Sequence, residues 1–117
     1  MTPETSKRLL DAAGACAASA EFTSGKDFAA CERDRLLRSA VERQFEIIGE
    51  ALGKAAEADP SIASTIPGLP RIVALRNRLI HGYDSVDDEI LRDIVRHKLP
   101  ALEIPLSRLP SEEGTRE

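Results

Sequence analysis

Apolar residues recur along this chain at spacings of three and four, the period of a helix buried on one face. Nowhere do they alternate with polar residues as a half-buried strand would require. Leu9, Leu10, Ala13, Cys16, Ala17 and Ala20 form the first stripe. Thr2-Pro3-Glu4 starts that helix, with a capping hydroxyl, a proline at the first helical position and an acid facing the dipole. Thr23, Ser24 and Gly25 break it, and a short turn is expected around Phe28. A long helix is predicted over residues 32–58, with Leu37, Ala40, Val41, Gln44, Ile47, Ile48, Ala51, Leu52 and Ala55 as its stripe. Asp59-Pro60 ends it.

Pro60, Pro67, Gly68 and Pro70 then predict a loop. A third helix begins near Pro70 and carries Ile72, Val73, Leu75, Leu79 and Ile80. Gly82 and an acidic cluster interrupt the pattern, and Ser85 with Asp88 reads as a capping box for the next helix. That helix uses Ile90, Leu91, Ile94 and Val95 and runs toward Leu99 and Leu102, where Pro100 and Pro105 are expected to kink or end it. The expectation is an all-α, up-and-down bundle of four to five helices. It forms one domain over residues 1–110, followed by a polar tail over 111–117.

Composition narrows the class. The 117 residues are 42% hydrophobic and 31% charged, the balance of a folded domain, and only 3% aromatic, so the core must be aliphatic. No apolar run is long enough to span a membrane. Lys7 and Arg8 before the small-residue run 12–20 loosely imitate a signal peptide, but Asp11 and the alanine-rich run argue against one. Cys16 and Cys31 lack metal-ligand spacing and read as buried free thiols of a cytoplasmic protein. With 16 basic and 20 acidic residues the net charge is −4, which by itself disfavours nucleic acid as a partner.

One segment departs from that average. Residues 70–82 carry Arg71, Arg76 and Arg78 and no acid, a positive stripe that also holds His81 and is followed by the only tyrosine, Tyr83. Arg76 and Tyr83 lie about 20° apart around a helix, whereas Arg76 and His81 are about 140° apart. Either the helix bends at Gly82, or another surface completes the site. Cleaving RNA without a metal requires a base for the 2′-hydroxyl, an acid for the leaving oxygen and a cation for the phosphorane charge. A twofold dimer would supply two copies of His81 and several arginines to one cleft. The spacing alone is equally compatible with a solvated helix end whose histidine caps carbonyls.

At these residues the sequence resembles the HEPN superfamily, and more narrowly the HepT-like toxin ribonucleases. The R-x-x-x-x-H-x-Y pattern of Arg76, His81 and Tyr83 carries the resemblance, within ALRNRLIHGYDSVDDEILRDIV. RSAVERQFEIIGEAL (residues 38–52) and Ile66-Pro67 upstream extend it. The resemblance implies a helical homodimer with a composite cleft and metal-independent RNA cleavage by Arg76 and His81, with no cofactor. It also implies a cognate minimal nucleotidyltransferase antitoxin that adenylylates Tyr83. Asn77 matches the family's common R-N pair and, one turn before His81, could orient its ring. Arg71 and Arg78 are further candidates for binding RNA. The alternative function is a non-catalytic, nucleotide- or substrate-binding helical subunit of a nucleotidyltransferase complex.

Other features have plainer readings. Gly49 and Gly53 form a G-x-x-x-G that predicts close helix packing. Glu46 and Glu50, one turn apart, either face the motif arginines or form a solvated pair. His97 is expected to be exposed near a helix end. Asp84, Asp87, Asp88 and Glu89 fit a helix N-terminus better than a metal site.

Overall fold

Thr2 opens the first helix as its sequence predicts: its hydroxyl accepts from the Thr5 amide at 3.1 Å, and Pro3 occupies the first turn. The computed structural model describes residues 2–81 and 88–114, and all its regular structure is helical. The elements are α1 (Pro3–Thr23), α2 (Phe28–Arg33), α3 (Arg35–Ala58), α4 (Ile62–Thr65), α5 (Leu69–His81) and α6 (Asp88–Asp93). A π-helical turn (Ile94–Lys98) then leads into α7 (Leu99–Gly114). α1 packs along α3 and α7, α3 along α5, and α2 bridges α3 and α6. The result is the expected all-α bundle, 43 × 29 × 19 Å. Gly82, Tyr83 and Ser85, the capping residue expected before Asp88, lie outside the described residues.

Local chemistry explains where the boundaries differ from the periodicity. The short turn expected around Phe28 is a helix, capped by Asp27, whose carboxylate accepts from the Ala30 amide at 2.8 Å. Asp34 then interrupts the chain and caps α3 by accepting from the Leu37 amide at 3.1 Å, so the long helix starts at Arg35 rather than 32. The 60–70 loop contains the single helical turn α4. It buries Ile62, Ile66 and Leu69, and Gly68 turns through φ +72° to launch α5.

Two stripes are also corrected. α1 buries Thr5, Leu9, Ala12, Ala15, Cys16 and Ser19, while Leu10 is exposed. Alanines on every side of α1 leave its periodicity nearly silent about orientation, and packing on both α3 and α7 decides it. In α3 the core position is Phe45, fully buried, and not its neighbour Gln44. Leu37, Val41, Phe45, Ile48, Ala51, Leu52 and Ala55 form the buried stripe.

Neither Pro100 nor Pro105 ends the last helix. A proline at position 100 has no N–H for the carbonyl one turn back, and its ring crowds that carbonyl. The chain widens just before it, so that Leu99 N–H bonds Ile94 C=O five residues back, and α7 follows. α7 continues through Pro105, flanked by buried Leu102 and Leu106, to Gly114, inside the stretch read as a polar tail. Cys16 donates its thiol to the Leu99 carbonyl at 3.6 Å, tying α1 to this junction. Both cysteines are free and buried, as expected, and burial pushes the Cys16 thiol up to about 11.

Truncating Phe45 tests this core. Phe45→Ala is expected to lose about 3–5 kcal/mol of stability in denaturant unfolding. Leu36→Ala, at a side chain 81% exposed, should stay within about 0.5 kcal/mol.

Candidate functional site

α5 presents two different surfaces. Leu69, Ile72, Leu75 and Leu79 face the core, while Arg71, Asn77, Arg78 and His81 are exposed. Arg71 and Arg78, seven residues apart, share one side of the helix to within about 20°, and Arg76 points about 140° away from Arg71. The positive stripe expected from the sequence is therefore split. Arg76 turns toward α3, and its side chain is only 24% exposed.

Gly49 makes that turn possible. A Cβ on Gly49 would overlap the Arg76 Cβ and stand 2.6 Å from its Cγ. One turn on, a Cβ on Gly53 would meet Val73 Cγ2 at an ordinary 3.6 Å. The G-x-x-x-G is thus a packing device, as predicted, and Gly49 is the position with no room for a side chain. The stem of Arg76 lies against the α3 backbone there.

The next residue of α3 supplies the counter-charge. Arg76 Nη2 donates to Glu50 Oε2, and Nη1 donates to Asn77 Oδ1 at 3.0 Å. Arg76 Nε is buried without a hydrogen-bond partner among the described residues. Of the two ways of placing Glu50, the structure selects the one facing a motif arginine. Glu46 instead pairs with Arg43 at 3.3 Å. Asn77 spends its carbonyl oxygen on Arg76, and no hydrogen bond joins it to His81.

These groups line a cleft of about 260 Å³ between α1, α3 and α5, with Arg8, Asp11, Arg43, Glu46, Glu50, Arg76 and Ile80 in its walls. Sequence reasoning missed Arg8 and Arg43. Their signal was local: Arg8 pairs with Glu4 four residues back, and Arg43 with Glu46 three residues on. Each cation is matched by a carboxylate, so the cleft is balanced rather than strongly positive.

His81 closes α5 at an exposed position, about 140° around the helix from Arg76. His97 lies exposed in the π turn, as expected. Among the described residues no three His, Cys, Asp or Glu side chains gather as a metal site, and the acidic run from Asp84 to Asp87 lies outside them. No described helix is long and apolar enough to cross a membrane.

Comparison with known proteins adds an independent line. The family model described as "Ribonuclease HepT-like" matches residues 12–109. "Putative RNase MJ0127" of Methanocaldococcus jannaschii is 34% identical over 82 residues, 68% of this chain and 65% of that protein. "Putative RNase MJ1380" of the same organism is 34% identical over 84 residues, 70% of this chain and 74% of that protein. "Putative RNase TTE0752" of Caldanaerobacter subterraneus is 29% identical over 93 residues, 80% of this chain and 82% of that protein. No solved structure matches the chain.

Two glycine substitutions separate packing from helix propensity. Gly14 sits in α1 with open space around its Cβ direction, so Gly14→Ala should raise stability by up to about 1 kcal/mol. Gly49→Ala gains the same propensity but must displace Arg76, and is expected to lose about 1–3 kcal/mol. Thermal unfolding of the two variants should move in opposite directions.

Proposed function

Because this chain belongs to the HepT-like ribonuclease family, we propose that it is a cytoplasmic toxin endoribonuclease, cleaving RNA without a metal in a cleft shared by two copies. A minimal nucleotidyltransferase antitoxin silences it by adenylylating Tyr83. The observation that carries the reading is Arg76, a guanidinium held by Glu50 and Asn77 in the wall of an open cleft. Three relatives named as RNases support the same chemistry.

The proposed roles follow from what each group can do. Arg76 binds the scissile phosphate and stabilises the charge that grows on it. Its held geometry avoids ordering a free arginine at the moment of reaction. His81, exposed at the end of α5, transfers a proton. The two do not converge on one straight helix, so a second copy completes the site. Arg71 and Arg78 lie on another side of α5 and contact flanking RNA phosphates rather than the reacting one. An AMP on Tyr83, two residues beyond His81, adds bulk and negative charge where an RNA phosphate would bind.

Purified protein should cleave RNA, and His81→Ala or Arg76→Ala should lower the rate by about 10²-fold or more. Intact RNA with the unaltered protein, or undiminished cleavage by His81→Ala, would remove the ribonuclease reading. The antitoxin link is checked by the mass of the Tyr83 peptide after co-expression with a neighbouring nucleotidyltransferase. An AMP adduct is expected there, and an unmodified peptide speaks against the pairing.

A further inference from the structure

We propose that Glu50 is the general base of the reaction, taking the proton from the attacking 2′-hydroxyl. The inference rests on the ribonuclease reading above and assigns a proton acceptor beside Arg76. Among the described residues, two side chains lie within hydrogen-bond distance of the Arg76 guanidinium, Glu50 and Asn77. An amide cannot accept the proton, and a carboxylate can. Glu50 gives Oε2 to Arg76, while among the described residues the ion-pair partner of its Oε1 is Lys54, at 4.0 Å. Its side chain is 43% exposed in the cleft wall, so a ribose on a phosphate held by Arg76 comes within its reach. Glu46, the other α3 carboxylate in the cleft, is instead paired with Arg43 at 3.3 Å.

The step balances without any co-reactant. Glu50 accepts the 2′-hydroxyl proton as the 2′-oxygen bonds to phosphorus. The bond from phosphorus to the 5′-oxygen breaks, and that oxygen takes a proton from the His81 imidazolium. The products are a 2′,3′-cyclic phosphate and a 5′-hydroxyl, and exchange with solvent resets both groups. One histidine per reaction then suffices, because acid and base are different residue types. The charged groups around Glu50 are Arg76 on α5, Arg8 and Asp11 on α1, and Arg43, Glu46, Lys54 and Glu57 on α3.

The test is the pH profile of kcat/KM on a defined RNA for the full-length protein, Glu50→Gln, Glu50→Asp and Glu46→Gln. Glutamine can still accept the Arg76 hydrogen bond but cannot take a proton. Glu50→Gln should therefore lose about 10²-fold or more in kcat and lose the fall in rate at the acid end. RNA affinity, read on a His81→Ala background, should stay within a few-fold. Glu50→Asp should keep the acid limb at reduced rate, and Glu46→Gln should keep it as well. Glu50→Gln within a few-fold of the unaltered protein, with its acid limb intact, would reduce Glu50 to a positioning residue and overturn the proposal. No cleavage by the unaltered protein would instead overturn the ribonuclease reading and, with it, this assignment.

Discussion

Where α5 crosses α3, the absence of one side chain at Gly49 sets the distance between the two helices, and the stem of Arg76 fills the space that results. Packing an arginine against another helix removes much of its hydration, a cost that is tolerable only if the charge is paired. The residue after the glycine provides that pairing. Gly49 and Glu50 thus act together, one admitting the guanidinium and the other fixing it, while Asn77 holds a second edge. The remaining features of the cleft follow from this contact. Its walls are the faces of α1, α3 and α5 that the crossing leaves open, and its central cation has a defined direction.

A fixed cation behaves differently from a diffuse positive field. The net charge of −4 and the carboxylate paired with each arginine of the cleft give little long-range attraction for a polyanion. The strength of such a site lies in the placement of its donors at the charge that develops during reaction, where they require little reorganisation. Arg71 and Arg78, exposed on another side of α5, are not held against another helix in this way.

Most of the fold was legible because its helices follow the expected period and carry the expected caps. Thr2 and Pro3 mark the start of α1 unambiguously, and the Gly49–Gly53 spacing signalled the α3–α5 contact. The misreadings have physical causes. Alanine surrounds α1, so its orientation is decided by neighbours and not by its own pattern. Asp34 looks like a surface residue of a continuous helix until its carboxylate is seen capping the Leu37 amide. Pro100 reads as a stop because periodicity cannot show that a π turn absorbs it. In the site, the helix that carries Arg76 and His81 was legible as α5, but which arginine turned inward was not. That depends on a glycine on another helix, more than 25 residues earlier in the chain. The cleft residues Arg8 and Arg43 were hidden for the same reason, since only the tertiary packing brings them beside Arg76.

In the proposed mechanism side chains alone, with Arg76 at their centre, move the protons and stabilise the charge of RNA cleavage. The most direct measurement is the chemistry of the ends left by the purified protein acting on an end-labelled RNA in the presence of a metal chelator. Continued cleavage with 2′,3′-cyclic phosphate and 5′-hydroxyl termini is the expected result. Cleavage that stops with the chelator, or that leaves 3′-hydroxyl and 5′-phosphate ends, would contradict it.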